Sequence, residues 1–234
     1  MKNLSVQIEK LDDVSLHGEP LHKALKSLSW INKWFGNHSA FIKAIHPVYI
    51  EKEKPQSIID LGCGGGDLIL AVAKSLQRRK NKFTITGIDG NANSLSFTKQ
   101  KCTGFSKINF VYAEILSDEF NIKPCDILIG SHFVYHFSEK RLINFLKKSL
   151  PIISTAIIFS KLNRKPIALP LFKFSSFLVP TSKLAKANDM LDIKRLFIKK
   201  EWLSILHLAG IGTHRLETVP LLRILLTIFP ITKI

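Results

Sequence analysis

The pattern of apolar residues changes near residue 57, where short apolar runs begin to alternate with segments of helical spacing. The runs predict five strands, at residues 57–61, 83–89, 109–113, 126–131 and 155–160. The segments between them predict helices at about 67–79, 94–101 and 139–150. Strands that alternate with helices in this way call for a parallel sheet that is covered on both faces.

The two ends of the chain follow other patterns. Residues 1–35 have the spacing of helices, and a second short helix is predicted at 38–46. Near the C-terminus, the pattern predicts a helix at 201–209 and then two strands, at 213–219 and 223–229. A helix followed by such a hairpin would add an antiparallel pair to the edge of the sheet.

A chain of 234 residues with 46% apolar content can bury one substantial core. We therefore predict one domain over residues 1–234. Its predicted parts are an N-terminal helical cap (1–50), a cofactor-binding core (57–160), a lid insertion (161–200), and a closing helix and hairpin (201–234).

A glycine-rich turn, from Asp60 to Asp67, lies between the first predicted strand and the helix that follows it. Glycines let a backbone turn tightly and approach a ligand, and the N–H groups at a helix N-terminus face the same crevice. The next strand ends at Asp89, where a carboxylate can accept both hydroxyls of a ribose. The turn therefore predicts a nucleoside cofactor.

The dinucleotide fingerprint G-x-G-x-x-G fails in both registers, because Asp67 and Ile69 stand where its third glycine belongs. An acidic Asp67 at the helix start would also repel a pyrophosphate. S-adenosylmethionine (SAM) has no phosphate, and its cationic groups tolerate nearby carboxylates. The charge pattern thus favours SAM over a dinucleotide.

Four motifs resemble those of class I SAM-dependent methyltransferases, in the same order and with similar spacing. They are Asp60-Leu-Gly-Cys-Gly-Gly-Gly, Gly87-Ile-Asp, Phe110-Val-Tyr-Ala-Glu and the stretch from Cys125 to Phe137. The resemblance implies a Rossmann-like α/β fold with a mostly parallel seven-stranded sheet, a C-terminal antiparallel hairpin and helices on both faces. Weaker similarity, including Leu11-Asp-Asp and the lid, extends to methyltransferases that accompany bacterial polyketide pathways.

The resemblance also implies the residues that hold SAM. Residues of the first motif would line its methionine end: Asp60, Gly62, Cys63, Gly64 and Gly66. Residues after the second strand would bind the ribose: Asp89, Gly90 and Asn91. Glu114 would contact the adenine, and Ser131 completes the set. The sequence departs from the family at Glu114, where Asp is commoner, and at Tyr135, where a histidine is usual.

The end of the fourth strand excludes two kinds of methyl acceptor. Ser131-His132-Phe133 is not the Asn/Asp-Pro-Pro-aromatic run of enzymes that methylate amino groups of nucleic acids. Cys125 follows a proline as in cytosine-directed enzymes, but it precedes the strand, so we interpret it as a packed residue. The remaining catalytic candidates are His132, Tyr135 and His136, and a histidine suits removal of a hydroxyl proton. We favour His136, although it can equally cap the next helix or pack in the core.

A formal charge of +16 favours anionic partners. The basic segment 161–200 has three interpretations: a lid over an apolar substrate, a contact with anionic membrane, or a contact with nucleic acid. We favour the lid. Three separated cysteines and the absence of a signal-peptide pattern predict a cytoplasmic protein, with membrane-peripheral contact left open. No metal site is predicted, and the oligomeric state is left undetermined.

Together these observations predict a SAM-dependent O-methyltransferase that acts on a small, lipophilic, aromatic hydroxyl compound of polyketide type. Two alternatives stay open: an RNA methyltransferase, and a non-catalytic partner protein with the SAM-binding fold. Trp30 and Trp34 also allow two interpretations. They close over SAM, or they form the apolar face with which their helix docks.

Overall fold

The computed structural model describes residues 17–162, 197–219 and 223–230. Within these ranges there are seven strands: β1 Gln56–Leu61, β2 Phe83–Asp89, β3 Ile108–Tyr112, β4 Cys125–Ser131, β5 Ile153–Leu162, β6 His214–Val219 and β7 Arg223–Ile228. The same ranges contain six α-helices: α1 Gly18–Trp34, α2 Asn37–Val48, α3 Asp67–Arg78, α4 Ala92–Lys101, α5 Glu139–Ser149 and α6 Lys199–Leu208. The predicted lid at 161–200 and the leader motif at Leu11 lie outside the described residues, apart from the two ends of the lid.

The strands form one sheet in the order β3-β2-β1-β4-β5-β7-β6. Strands β1 to β5 pair in parallel, whereas β7 pairs antiparallel with both β5 and β6. The predicted sheet and its closing hairpin are therefore confirmed. Because strand order reverses at β1 and β4, a crevice opens at their carboxyl ends, where open α/β sheets bind ligands.

The core consists of one apolar layer on each face of the sheet. Ile127 and Ile129 of β4 face the layer that α2 and α3 cover, whereas Leu128 faces the layer that α5 and α6 cover. Phe41 of α2 and Trp202 of α6 are buried in these layers. Since β4 is covered on both faces, its central residues 127–129 are all apolar, as in parallel sheets generally.

Helix α1 turns its leucines, not its tryptophans, toward the domain. Leu21 and Leu25 are buried, whereas Trp30 and Trp34 keep 39% and 62% of their surface exposed. Their rings lie 5.4 Å apart, centroid to centroid, on the opposite face of the helix. The interpretation of the two tryptophans as a docking face is therefore wrong, and the face that approaches the glycine-rich turn is that of Leu25.

No helix among the described residues is long and apolar enough to cross a membrane.

Candidate active site

The glycine-rich turn joins β1 to α3 with three residues in the left-handed region. Gly62, Gly64 and Gly66 have φ values of +67°, +47° and +67°. A Cβ atom on Gly66 would lie 2.3 Å from Cγ2 of Thr98, and one on Gly62 would lie 2.9 Å from Cδ2 of Phe133. At Gly64 such an atom would have no neighbour within 4 Å. Close packing thus fixes the two outer glycines, while the middle one borders open space.

Backbone and side-chain hydrogen bonds tie this turn to the end of β2. The N–H groups of Gly62 and Cys63 donate to the Ile88 carbonyl over 2.9 and 3.1 Å. Asp89 accepts from the Gly64 N–H at Oδ2 and from the Asn91 N–H at Oδ1, each over 2.8 Å. The carboxylate of Asp89 therefore lies directly beside the glycine turn, as the sequence predicts.

Asp60, at the end of β1, is almost fully buried, and its Oδ1 has no hydrogen-bond partner among the described residues. Burial raises the pKa of this carboxyl well above its ordinary value, and the negative charges of Asp67 and Asp89 raise it further. Buried polar atoms in folded proteins are nearly always hydrogen-bonded. A hydrogen-bond acceptor without a partner, such as Oδ1 of Asp60, therefore indicates a ligand that supplies a hydrogen-bond donor.

Asp89 and Glu114 approach each other across Gly90. Burial raises the pKa of Asp89, the two backbone N–H donors lower it, and Glu114 raises it again. Oε2 of Glu114 lies 3.3 Å from where a Cβ on Gly90 would stand. Both predicted nucleoside contacts thus border this glycine, and a side chain there would crowd them.

Asn91 has a structural role that is independent of any ligand. Its Oδ1 accepts from the N–H groups of Asn93 and Ser94 and so caps α4. Its Nδ2 is buried without a hydrogen-bond partner among the described residues. Asn91 therefore caps the helix and has one buried donor group without a partner among the described residues.

Cys63 is packed against the sheet. Its Sγ lies 2.9 Å from where a Cβ on Gly87 would stand, and burial raises the thiol pKa well above its ordinary value. Its backbone N–H, which donates to the Ile88 carbonyl as described above, holds the turn in place. Cys125 is also buried, and burial together with Asp126 raises its pKa to about 12. Neither thiol is suited to nucleophilic attack.

Two residues of the N-terminal helices reach the turn and are not among the predicted site residues. Nε2 of His38 lies 2.7 Å from Oδ2 of Asp67, and Nδ2 of Asn32 donates to the same oxygen over 3.2 Å. Burial by itself would raise the pKa of Asp67, but His38, Lys101 and Asn32 together lower it. Asp67 is thus held ionised beside the crevice. No sequence pattern indicated this contact, because it joins three different helices.

On the other side of the crevice, His132 directly follows β4 and has a φ of +53°. Its N–H donates to the Ser160 carbonyl over 3.1 Å, and its Nε2 lies 2.9 Å from a terminal nitrogen of Arg223. Burial and the Arg223 cation lower the pKa of His132 to about 3, against a smaller raising effect of Asp67. His132 is therefore neutral at physiological pH.

Arg223 belongs to a buried polar network that sequence reasoning missed. Its side chain donates to the carbonyl of Phe35 over 2.9 Å and to Oδ1 of Asn37 over 3.0 Å. Asn37 also accepts from Ser160 and donates to Ser131. Ser131, a predicted cofactor residue, is thus bonded to the N-terminal cap. The one sequence signal was an arginine at the start of a mostly apolar strand.

The other two catalytic candidates lie in a short 3-10 turn, Val134–His136. The His136 N–H donates to the Phe133 carbonyl over 3.2 Å, and the two rings are 6.1 Å apart. The side chain of Tyr135 lies outside the described parts of the chain. His132 and His136 therefore share one loop at the carboxyl end of β4, as predicted. Within the described ranges, no cluster of three or more His, Cys, Asp or Glu could hold a metal ion.

Residues 58–153 match the family model of the methyltransferase domain. The segment from β1 to the start of β5 is therefore similar to that domain. This match covers the glycine-rich turn, Asp89 and the β4 loop, so it confirms the resemblance drawn from the sequence motifs. No curated protein matches the chain.

Solved structures confirm the fold. A SAM-dependent methyltransferase from Aquifex aeolicus is 13% identical, with a TM-score of 0.63 over 92% of this chain and 100% of its own. The plantazolicin methyltransferase BpumL, solved with S-adenosylhomocysteine (SAH), is 15% identical, with a TM-score of 0.57 over 90% and 84%. The CMeT domain of the citrinin polyketide synthase is 14% identical, with a TM-score of 0.62, and this chain spans 52% of its length.

Proposed function

We propose that this protein is a SAM-dependent methyltransferase and that it transfers the methyl group of SAM to a hydroxyl oxygen of a small, lipophilic, aromatic molecule of polyketide type. The choice of SAM rests on the crevice itself. The acceptor preference rests on the β4 loop and on similarity to proteins that include a polyketide synthase domain and a protein described as an O-methyltransferase.

The observation that carries the cofactor assignment is the unpartnered Oδ1 of Asp60 among three neighbouring carboxylates. Crowding Asp60, Asp67 and Asp89 together is costly unless a cation offsets their charge. SAM brings an ammonium and a sulfonium, and its ammonium is a hydrogen-bond donor that suits Asp60. A dinucleotide would bring two phosphates to the same place. The residues present therefore fit SAM.

In this proposal each part of the crevice holds one part of the cofactor. Asp60 and the glycine turn bind the methionine end, Asp89 and Asn91 the ribose, and Glu114 the adenine. When bound, SAM supplies an electrophilic methyl group, and its transfer to a hydroxyl oxygen leaves neutral SAH and releases one proton. His136, in the loop past β4, takes that proton as a general base.

The test is calorimetric titration of the purified protein with SAH, with NAD as a control ligand. We expect micromolar binding of SAH, no binding of NAD, and loss of SAH binding in Asp89→Ala. The variant also removes the acceptor for two backbone N–H groups. Thermal unfolding must therefore show that it is folded.

Methyl transfer is then measured with radiolabelled SAM on a panel of phenols and enols. A folded protein that does not bind SAH would refute the cofactor assignment and favour the non-catalytic alternative. Binding of SAH together with methylation of RNA, but not of phenols, would refute the acceptor assignment.

A further inference from the structure

The crevice is electrically asymmetric between its two walls. Carboxylates line the wall built by β1 and β2, where the charges of Asp67 and Asp89 raise the pKa of Asp60. The wall built by β4 and β5 instead holds His132 against the guanidinium of Arg223. The first wall suits a cationic ligand, and the second suits electron-rich groups.

The contact with Arg223 fixes which nitrogen of His132 carries a proton. A guanidinium has only donors and does not lose its proton in proteins. The Nε2 atom, 2.9 Å away, must therefore be the acceptor and carry no proton. A neutral imidazole then has its proton on Nδ1. His132 is thus a hydrogen-bond donor at Nδ1, and the low pKa prevents a second protonation.

The backbone and the surrounding network hold this donor in place. A φ of +53° is uncommon for a residue other than glycine, and such positions persist where the surrounding structure enforces them. Here the His132 N–H is bonded to Ser160, while Arg223 is fixed by Phe35 and Asn37. The Nδ1 edge forms no hydrogen bond with any described residue, and His132 as a whole residue is not fully buried. The donor is therefore held in place by its neighbours and keeps its hydrogen-bonding capacity for a ligand.

We propose that His132 donates a hydrogen bond from Nδ1 to the acceptor oxygen, and that the acceptor is an acidic phenol or enol bound as its anion. This inference rests on the proposed function and narrows its substrate class. It assigns His132 as an oxyanion-binding residue and leaves the role of base to His136. Inside a crevice that excludes water, a preorganised hydrogen-bond donor of this kind stabilises a negatively charged oxygen far better than water molecules do.

The chemical step balances in this arrangement. The hydroxyl proton passes to His136 as the acceptor binds, before methyl transfer, and then to solvent. The oxygen lone pair forms the new bond to the methyl carbon as the carbon–sulfur bond breaks, and that electron pair stays on sulfur. Arg223 acts through His132 as a positioning residue and does not exchange a proton.

The first experiment observes the imidazole directly, on protein saturated with SAH. Long-range proton–nitrogen NMR of protein with nitrogen-labelled histidine identifies the tautomer, and His132→Asn assigns the signal. We expect His132 to show a protonated Nδ1 and a bare Nε2, unchanged from about pH 5 to about pH 8. In the Arg223→Met variant we expect His132 to lose its preference for the Nδ1-protonated tautomer, and its NMR signal to change with pH over this range. A wild-type His132 that is protonated on Nε2, or that titrates in this range, would overturn the proposal.

The second experiment uses para-nitrophenol, whose phenolate absorbs visible light. At a pH below the value at which it ionises in water, we expect the complex of the protein with SAH to bind it as the phenolate. His132→Asn keeps a donor near the Nδ1 position, and His132→Gly deletes it. Both residues tolerate a positive φ, so the pair is matched for backbone strain. We expect the Asn variant to retain the phenolate signal and the Gly variant to lose it.

Methyl transfer to the same phenol should fall by roughly a hundredfold in His132→Gly. Failure of wild-type protein to bind the phenolate, or equal signals in His132→Asn and His132→Gly, would overturn the inference. Since SAH binding is measured first, a protein that binds SAH but fails these tests refutes only this inference. A protein that fails to bind SAH refutes the proposed function.

Discussion

At the scale of single residues, the three glycines of the β1–α3 turn differ although they look alike in the sequence. All three have positive φ values, but only Gly64 has open space where a side chain would stand. Gly66 is blocked by Thr98, whose hydroxyl also donates to the Gly64 carbonyl over 2.6 Å. Gly66 thus serves packing, while Gly64 borders open space, which we propose the cofactor enters.

This difference predicts that two alanine substitutions separate stability from binding. Gly64→Ala incurs only the cost of a left-handed residue, about 1 kcal/mol, but its methyl group intrudes on the crevice. Gly66→Ala adds a steric clash, for a total of about 2–4 kcal/mol. Urea unfolding gives the stabilities, and calorimetry with SAH gives the affinities. Equal destabilisation by the two substitutions would contradict the assignment of the open space.

The buried Asp60 predicts a cost in stability that depends on pH. Its raised pKa means that ionisation is harder in the folded state, so stability is greatest below the ordinary pKa and falls as pH rises above about 4. Asp60→Asn removes this loss. We expect the variant to be more stable than wild type at pH 7, with a difference that shrinks toward pH 4, and to bind SAH weakly.

Urea unfolding of Asp60→Asn at several pH values checks this expectation, with exposed Glu53→Gln as the control. A wild-type protein that is more stable than Asp60→Asn at neutral pH would show that the carboxylate is satisfied within the fold. The interpretation of Oδ1 of Asp60 as an acceptor without a partner would then be wrong, and so would the argument that these residues fit SAM.

At the scale of helices, the N-terminal pair α1 and α2 is part of the site. Asn32 and His38 hold Asp67 at the start of α3, and Asn37 at the start of α2 binds Ser131 and Arg223. The cap predicted over residues 1–50 therefore has polar contacts at both walls of the crevice.

We predict that the contact of His38 with Asp67 stabilises the docking of α2 on α3. His38→Leu leaves a largely buried carboxylate with one fewer donor and should cost about 1–3 kcal/mol in the free energy of unfolding. His38→Gln keeps an N–H donor at the position of Nε2 and should lose much less. Urea unfolding measures both, with exposed His207→Leu as a control. Equal losses in the Leu and Gln variants would mean that packing, not the hydrogen bond, holds the helix.

At the scale of the whole molecule, the chain has a formal charge of +16, whereas one wall of the crevice is acidic. Such a charge attracts anionic surfaces at a distance, and each Lys or Arg near an anionic membrane contributes about 1 kcal/mol. Peripheral membrane contact would bring a lipophilic acceptor close to the site.

We therefore predict that the protein co-sediments with vesicles of anionic lipid at about 0.05 M salt and is released at about 0.5 M, because salt screens surface charge. Vesicles of neutral lipid should not bind it. If the protein does not bind the anionic vesicles, the membrane prediction is wrong, and the lysines are interpreted as a solvated surface. Preferential binding of an RNA oligomer in competition would favour the nucleic-acid alternative.

The sequence alone determined the sheet, the hairpin and the position of the cofactor turn. These features depend on local patterns: apolar runs that alternate with helical spacing, glycines directly after a strand, and an acidic residue where the next strand ends. Parallel strands bring their carboxyl ends to one edge, so Asp60 and Asp89 had to lie near each other.

Only the tertiary structure decided what the charged groups do. Arg223 contacts Asn37 and His132, which are 186 and 91 positions away along the chain, and this contact turns a candidate base into a fixed donor. Tertiary packing also decided that Trp30 and Trp34 face outward and that His38 contacts Asp67. Such outcomes depend on which helices pack together and on the burial that follows, and neither is encoded in any local spacing of residues.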